Sequence, residues 1–475
     1  MNAKRSLLAL SAAILLALSS ACIAPETEST PSADSRLLLV SGGTVLTMDE
    51  EGTLIESGAV AIDGRRIAAV GSAAVLASRY PEARLIDAHG KIILPGLINA
   101  HSHVPMTLLR GVADDLPLTQ WLNDVIFPAE AQFVDEEFVR WGTRLACLEM
   151  IRGGITTFVD MYYYEDAIAE ETERCGMRAI LGETLIDFPA PDNATWSEAV
   201  AYASRFVDRW RDHPRISPAI APHAPYTVSG DHLVDAHRLA TQLEVPLLIH
   251  LAEDSSEVDT ILEKHGMRPV FYADSLGILD DRVLAAHMIH PSAEEIDILA
   301  ARGVGVAHCP ESNMKVAAGV APVPQLLAAG VAVGLGTDGA ASNNNLSLWD
   351  EMDTAAKLHK LMTGDPTTLD ARTVLTLATR GGARALDMAD QIGSLEAGKR
   401  ADLIIVNADG FHQQPVYDPY SVLVYSTQAA DVDTVIIDGR VVMESGTVLT
   451  LDAQEVVSRA QGYRDRIRAE ITVHR

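Results

Sequence analysis

Two histidines separated by one residue stand near the front of the chain, in the stretch PGLINAHSH at residues 95–103. The apolar residues before them predict a β-strand, in which side chains at positions i and i+2 project to the same face. His101 and His103 are therefore predicted to converge, so that their ring nitrogens could bind one metal ion. Taken alone, the pair is equally compatible with two polar residues at a strand end, so other segments must supply further ligands.

The central part of the chain repeats the same pattern of an apolar run that ends in polar residues. Eight runs are found: GLINAHSH, GITTFVDM, MRAILGET, ISPAIAPHAP, VPLLIHLAE, RVLAAHMIH, VGVAHCPES and VAVGLGTDG. Most are continuously apolar, which is typical of strands buried on both faces, and helical segments separate them. Eight β–α units over about 290 residues predict an α/β protein with a (β/α)8 TIM barrel. The alternative is a doubly wound open sheet, but no GxGxxG motif follows the first run.

The carboxyl ends of these runs carry the residues that could do chemistry, and barrel active sites lie at that face of the strands. The polar residues at these ends are His101, His103, Asp160, Glu183, His223, His250, Glu253, His287, His308 and Asp338. A chain that only tolerated histidines in its core would scatter them. Their position predicts an active site at the mouth of the barrel.

A catalytic metal site is the first chemistry that this set predicts. The proposed ligands are His101 and His103 from the first strand, His250 from the fifth and Asp338 from the eighth. Imidazole and carboxylate groups suit one divalent first-row metal such as Zn²⁺, and four protein ligands of this kind leave room for water. Such a metal lowers the pKa of water from about 15.7 toward about 7, which makes hydroxide available at neutral pH.

Three residues are predicted to move or hold protons beside the metal. Glu253 follows His250 by three residues in HLAED and could deliver a proton to a substrate. The alternative is a solvated glutamate that opens the next helix, where negative charge is favoured. Asp338 could accept the first proton from water, and His287 could hydrogen-bond the attacking hydroxide or a developing alkoxide. His308 precedes a predicted turn and is interpreted as structural, with a substrate contact as the alternative.

Composition and the flanking segments define the rest of the organisation. The 475 residues include 37 Lys and Arg against 65 Asp and Glu, a formal charge of −28, which argues against nucleic acid as a partner. Short β-like runs occupy residues 36–94 and 391–450, on either side of a barrel assigned to residues 95–390. We predict one small β-sandwich domain built from both ends of the chain, followed by a helix in residues 451–475.

The first residues predict export. Two basic residues precede an apolar segment, residues 7–18, and then the small residues SSAC ending at Cys22. This is the pattern of a secretory signal peptide, assigned to residues 1–22, and a polar linker follows at residues 23–35. A lipid anchor at Cys22 is the first reading and conventional cleavage near Ala21 the second. The predicted location is therefore the periplasm or cell envelope, with membrane contact only through that anchor.

Several motifs together resemble the amidohydrolase superfamily. They are PGLINAHSHVPMTLLRGVADDLPLTQWL, APHAPYTVS, IHLAED, AHCPESNMKVAAGVAPV and LGTDGAASNNNLSLWDEM. The chain is most similar to the 5-methylthioadenosine/S-adenosylhomocysteine deaminase branch, which also contains triazine hydrolases. The resemblance implies a (β/α)8 barrel with a β-sandwich, one metal that is usually zinc and sometimes iron, and often a homodimer. By position it implies the ligands and the proton-transfer pair already named, which are His101, His103, His250 and Asp338, then Glu253 and His287.

The resemblance also implies substrate contacts. Glu130, in FPAE, matches the residue that holds the ribose hydroxyls, and His223 matches a substrate contact. Trp121 either walls the pocket or packs in the core. Members that accept S-adenosylhomocysteine carry arginine near the end of the third strand, where this chain has Glu183 and a following loop without arginine. The usual bidentate partner of a carboxylate is thus missing, which disfavours homocysteine conjugates.

The function predicted from the sequence is metal-dependent hydrolytic deamination of an aminated purine nucleoside or similar N-heterocycle, with release of ammonia. Hydrolysis of an s-triazine or a cyclic amide on the same site is the first alternative. A non-catalytic exported lipoprotein that binds metal or a solute is the second. The presence of Glu253, His287 and Asp338 together favours the deaminase, because simple binding needs no proton-transfer groups.

Overall fold

A computed structural model of the chain describes residues 37–470. The predicted signal segment with Cys22 and the linker at residues 23–35 lie outside this range. Within residues 37–470, each helix is either too short or too polar to cross a membrane.

The strands alternate with helices through most of the described chain. The strands are β1 (Leu38–Leu46), β2 (Leu54–Asp63), β3 (Arg66–Ser72), β4 (Arg84–Asp87), β5 (Lys91–Pro95), β6 (Leu97–Ser102), β7 (Ile155–Tyr162), β8 (Arg178–Leu185), β9 (Ile216–Pro222), β10 (Leu247–Leu251), β11 (Val283–His287), β12 (Gly305–His308), β13 (Ala332–Leu335), β14 (Leu403–Asn407), β15 (Val432–Ile437), β16 (Arg440–Glu444) and β17 (Thr447–Val448).

The α-helices are α1 (Ala73–Arg79), α2 (Leu118–Gln120), α3 (Phe127–Phe133), α4 (Glu136–Arg152), α5 (Glu165–Cys175), α6 (Trp196–Trp210), α7 (Gly230–Leu243), α8 (Ser255–His265), α9 (Pro269–Ser275), α10 (Ala293–Arg302), α11 (Pro310–Lys315), α12 (Val323–Ala328), α13 (Leu348–Thr363), α14 (Ala371–Thr376), α15 (Gly382–Ala385), α16 (Pro419–Tyr425) and α17 (Ala453–Glu470). Short 3₁₀ helices cover Val104–Leu109 and Ala429–Asp431, and π-helical segments cover Trp121–Ile126 and Leu377–Gly381.

Strands β6 to β13 form the predicted barrel. They are parallel and lie side by side in chain order, and every residue of β7, β8 and β10 is buried. The first and last strands meet where the backbone N–H of Asp338 donates to the carbonyl of His101 at 2.9 Å. The side-chain amide of Asn99 also donates to the hydroxyl of Thr337 at 2.8 Å. Burial on both faces explains why the eight runs are continuously apolar, and the (β/α)8 prediction is confirmed.

The two ends of the chain share a second sheet, as predicted. Nine strands join in one mixed sheet, in which β5 from the N-terminal segment pairs antiparallel with β14 from the C-terminal segment. Alternate residues of both segments form one apolar cluster that includes Val40, Ile62, Ile93, Ile405 and Ile436. Neither the N-terminal nor the C-terminal group of strands can bury its apolar face alone, so the two groups must come together for this domain to fold.

A buried ion cluster connects the barrel to this sheet. Arg178, at the start of β8, donates from Nε to Asp402 at 2.7 Å and from Nη2 to Asp438 at 3.3 Å. All three side chains are almost fully buried. Arg400 also contacts Asp438 at 3.2 Å, whereas the hydrogen bonds from charged side chains to Asp402 come from Arg178 alone among the described residues.

Replacing Arg178 with Met should destabilise the protein by about 3–5 kcal/mol, because the buried carboxylate of Asp402 would lose its cation. Urea denaturation followed by circular dichroism measures this change. Arg238→Met is the matched control, because Arg238 forms an exposed pair with Asp235 that is worth about 0–1 kcal/mol. Equal effects of the two substitutions would contradict a structural role for the buried cluster.

Candidate active site

The mouth of the barrel is built from strand ends with an unusual backbone. Ala252, His287 and Asp338 have φ angles of 54°, 72° and 58°, in the left-handed region that non-glycine residues rarely adopt. Each lies at or just after the end of a barrel strand. Backbone strain of this kind is maintained only where the surroundings impose it, and it is concentrated at functional sites. Here the left-handed turns direct successive side chains into one cavity.

Four predicted ligand atoms converge in that cavity. Asp338 Oδ1 lies 3.4 Å from His101 Nε2 and 3.2 Å from His103 Nε2, and His103 Nε2 lies 3.4 Å from His250 Nε2. Ligands about 2.0–2.1 Å from a tetrahedral zinc ion are separated by about 3.3 Å. The observed spacings therefore match the edges of such a coordination shell.

Hydrogen bonds on the far side of the imidazoles set their tautomers. His103 Nδ1 donates to the carbonyl of Met161 at 2.6 Å, and His250 Nδ1 donates to the carbonyl of His223 at 2.8 Å. A carbonyl can only accept, so each Nδ1 carries a proton and each Nε2 is the atom left to bind a metal. Such outer contacts orient metal-binding histidines. Both rings are therefore prepared to bind a cation at the centre.

The donor set fits a divalent metal. His101 Nε2 is buried beside Asp338, and no well-formed hydrogen bond satisfies it within the described part of the chain. Burial favours the neutral form of Asp338, but the adjacent imidazoles of His101 and His103 hold the pKa of its carboxyl well below the usual range. Buried lone pairs and an ionised carboxylate facing one point are the environment that a cation stabilises. A second combination, His101 and His250 with His287, also brings three ligand atoms within reach of one another.

Asp338 is fixed by residues that the sequence analysis did not identify. Its Oδ2 accepts hydrogen bonds from the hydroxyls of Ser312 at 2.6 Å and Ser342 at 2.8 Å. Its Oδ1 accepts the backbone N–H of Gly339 at 2.8 Å while facing the histidines. Both serines lie in motifs quoted for the resemblance, AHCPESNMK and GTDGAASNNN, but nothing in the spacing indicated which side chains would reach the aspartate.

His287 and Glu253 face each other across the cavity. His287 Nδ1 donates to the amide oxygen of Asn313 at 2.9 Å, which leaves Nε2 directed at Glu253 Oε1 at 3.6 Å. Burial raises the pKa of Glu253 above its ordinary value. The carboxylate of Glu257 accepts the backbone N–H groups of Ala252 and Glu253 and so holds the turn that carries Glu253. Glu253 is therefore a buried, positioned side chain and not the solvated helix residue of the alternative reading.

The predicted substrate contacts line the same cavity. Glu130 is buried on α3, and its Oε1 accepts the hydroxyl of Tyr162 at 2.7 Å. Burial raises the pKa of Glu130 to about 7. His223 bonds the hydroxyl of Thr227 through Nδ1 at 2.8 Å, which leaves its Nε2 free to face the cavity. Trp121 packs in the core and also lines the cavity, so the two roles considered for it, pocket wall and core residue, both apply.

Two further strand-end residues turn away from the cavity. Glu183 is buried and accepts the side-chain amide of Asn193 at 3.0 Å, so it anchors its own loop. His308 is buried, and its Nε2 lies 3.2 Å from Nε2 of His359. The structural interpretation of His308 is therefore favoured over a substrate contact. In the sequence analysis, the alternation of side chains along these short strands did not show which residues at the strand ends point into the cavity.

Comparison with known proteins agrees with this geometry. The amidohydrolase family profile matches residues 92–442, and an imidazolonepropionase-like composite domain of bacteria matches residues 58–83. A protein named 5-methylthioadenosine/S-adenosylhomocysteine deaminase from Syntrophobacter fumaroxidans is 49% identical over 424 residues, which cover 89% of this chain and 97% of that protein.

Solved structures with bound zinc are also similar. An adenosine deaminase from Xanthomonas campestris superposes with a TM-score of 0.90 at 42% identity, covering 91% of this chain and 98% of that one. An atrazine chlorohydrolase from Arthrobacter aurescens superposes with a TM-score of 0.83 at 27% identity, covering 90% and 99%. With a family profile spanning most of its length and relatives that align almost end to end, this chain belongs to the amidohydrolase family.

Proposed function

We propose that this protein is a zinc-dependent hydrolytic deaminase of purine nucleosides such as methylthioadenosine and adenosine. The observation that carries the proposal is the convergence of His101, His103, His250 and Asp338 at ligand spacing, with Glu253 and His287 beside them. The similarity to relatives named as deaminases supports the same class of reaction. Fe²⁺ is the alternative metal, since its ligand preferences overlap with those of zinc.

The residues divide the work of the reaction. The three histidines and Asp338 would hold the metal, which when bound supplies an activated water as the nucleophile. Asp338 would take up the proton released there and return it to the amino group, which leaves as ammonia. Glu253 protonates the ring nitrogen next to the carbon that carries the amino group, which makes that carbon more electrophilic. His287 Nε2 forms a hydrogen bond with the oxygen atom that adds to the purine ring. The hydrogen bond from His287 Nδ1 to Asn313 keeps the imidazole proton on Nδ1.

Glu130 and His223 position the nucleoside. The Glu130 carboxylate is buried, and its partner Tyr162 uses only one of its lone pairs. Two ribose hydroxyls can donate to the remaining lone pairs. His223 faces the cavity between Glu130 and the metal ligands, where it can bond the base. Aromatic and aliphatic side chains such as Trp121 and Met106 provide the apolar walls that a purine ring requires.

The same site could displace chloride or an amine from a triazine, and the chlorohydrolase neighbour makes this the second candidate. Similarity is much closer to proteins named as deaminases, at 49% and 42% identity against 27%. A purely metal- or solute-binding role leaves the arrangement of Glu253, Glu257 and His287 without a purpose. Assays of the zinc-loaded protein for ammonia release from methylthioadenosine and adenosine, and for chloride or amine release from chlorotriazines, separate the three.

We also propose that the protein is exported and anchored through a lipid on Cys22. The support is the order of basic, apolar and small residues at the start of the chain. Palmitate should label the protein in bacteria, and globomycin should shift its mobility in gels. Cys22→Ser is the matched control. A protein that is processed normally and carries no palmitate would contradict the anchor.

Replacing Glu253 with Gln should lower kcat for methylthioadenosine by about 10²–10⁴-fold, because the amide cannot transfer the proton. Zinc content, measured by elemental analysis, should stay near that of the parent. Glu263→Gln on the exposed side of α8 is the matched control and should leave kcat unchanged. Full activity of the Glu253 variant would remove this residue from the mechanism.

Zinc affinity of the metal-free protein should fall as the pH is lowered below about 9. Burial lowers the pKa of His103, but the hydrogen bond and charge of Asp338 dominate and raise it to about 9. Below that pH zinc must displace one proton, so affinity should fall about tenfold per pH unit. Chelator competition between pH 6 and 8 measures the slope.

His103→Gln should weaken zinc binding and flatten this slope, whereas His412→Gln at an exposed position should change neither. A slope of zero in the parent protein would contradict the proposed ligand role of His103.

A further inference from the structure

A second cavity of about 640 Å³ adjoins the catalytic one. The two share a wall formed by Leu118, Leu122, Phe127, Tyr226 and Glu253. On its outer side the second cavity is bordered by Phe188, which follows β8, and by the start of α8. We call it the outer cavity. Because the same side chains line both cavities, a substituent of a ligand in the catalytic cavity that projects past them would enter the outer cavity.

The lining of the outer cavity is apolar and acidic. Aromatic and aliphatic side chains line it together with neutral polar residues, and its acidic residues are Glu253, Asp254 and Glu257. Among residues 37–470, those that line either cavity include no lysine or arginine. Asp254 caps α8 by accepting the backbone N–H of Ser256 at 2.8 Å. A carboxylate group entering the outer cavity would meet the carboxylate of Asp254 and no cation among the described lining residues.

An aromatic pair marks the boundary between the two cavities. The rings of Phe127 and Phe188 pack edge to face with their centroids 5.3 Å apart, and Phe127 lies 6.3 Å from the ring of His223. Phe127 precedes Glu130 by three residues on α3, so both side chains lie on the same face of the helix. Ribose hydroxyls held by Glu130 would therefore place the 5′ substituent of a nucleoside beside Phe127.

Phe188 is 39% exposed, yet its loop is held in place. The preceding residue, Asp187, accepts the backbone N–H of Ser229 at 2.8 Å and a bond from His232 Nδ1 at 2.6 Å. The exposed face of Phe188 is thus presented to the outer cavity by a fixed turn. Sulfur of a thioether makes favourable contacts with aromatic rings, especially near their edges.

We propose that the outer cavity is the subsite for the 5′ substituent, and that Phe188, with Phe127, selects a neutral thioether over a carboxylate-bearing tail. This inference rests on the proposed nucleoside deaminase function and narrows its substrate class. Methylthioadenosine carries the matching methylthio group, and adenosine lacks the thioether. The homocysteine tail of S-adenosylhomocysteine brings a carboxylate that finds no cation there.

The first test compares four nucleosides with the zinc-loaded parent protein. These are methylthioadenosine, adenosine, S-adenosylhomocysteine and its decarboxylated analogue, which keeps the thioether and the amine. We expect kcat/KM for S-adenosylhomocysteine to lie about 100-fold below that for methylthioadenosine, as for a desolvated charge without a partner. The decarboxylated analogue should recover most of this loss, which would assign the penalty to the carboxylate.

The second test uses variants of Phe188. Phe188→Ala should lower the ratio of kcat/KM for methylthioadenosine to kcat/KM for adenosine by about tenfold. Phe188→Leu should lower this ratio less than Phe188→Ala does. Phe188→Arg should raise the relative rate with S-adenosylhomocysteine at least about tenfold, because it supplies a partner for the carboxylate. Phe411→Ala, at a fully exposed phenylalanine, is the matched control and should leave every ratio unchanged.

The outcomes separate this inference from the function on which it rests. If no nucleoside releases ammonia, the proposed function is wrong and the subsite is wrong with it. The subsite alone is wrong if S-adenosylhomocysteine is deaminated as efficiently as methylthioadenosine. It is also wrong if Phe188→Ala lowers kcat/KM for methylthioadenosine and for adenosine by the same factor. The inference would be supported if Phe188→Ala loses its preference for methylthioadenosine over adenosine and Phe188→Arg gains activity with S-adenosylhomocysteine.

Discussion

Four ligand atoms that converge at the mouth of the barrel, with neighbouring atoms 3.2–3.4 Å apart, are the feature on which the rest of the site depends. Three of them are imidazole nitrogens, and the hydrogen bonds of His103 and His250 to backbone carbonyls leave their Nε2 atoms pointing inward. Lone pairs and a carboxylate held together away from water repel one another unless a cation lies between them. The protein must therefore impose this arrangement through the fold.

The barrel imposes it in two ways. Hydrogen bonding between β6 and the residues after β13 closes the sheet and brings His101 next to Asp338, although they are far apart in the sequence. Left-handed residues at the strand ends then aim the side chains inward. Hydrogen bonds from Ser312 and Ser342 to Asp338, and from His287 to the amide oxygen of Asn313, prevent these side chains from relaxing to better-separated positions. Rigid outer contacts of this kind are as necessary to a metal site as the ligands themselves.

The mouth of the barrel also separates two chemical environments. At the inner end, charged and polar groups surround the cavity, and burial raises the pKa of Glu253 above its ordinary value. At the outer end, Phe127 and Phe188 present aromatic surface, and the charged residues are acidic. One cavity thus presents groups that can transfer protons, and its neighbour presents the aromatic surface on which the proposed subsite rests.

The sequence alone determined the strand pattern, the class of fold and the types of residue at the strand ends. Eight continuous apolar runs predicted the barrel because parallel strands are buried on both faces, and the His-x-His pair predicted convergence because side chains alternate along a strand. Only the tertiary structure decided which strand-end residues point inward. Glu183 and His308 follow the same pattern as His250 but turn into packing contacts. The direction of each side chain is set by hydrogen bonds to backbone carbonyls and serine hydroxyls and by left-handed turns. These depend on contacts between distant segments, which local sequence does not encode.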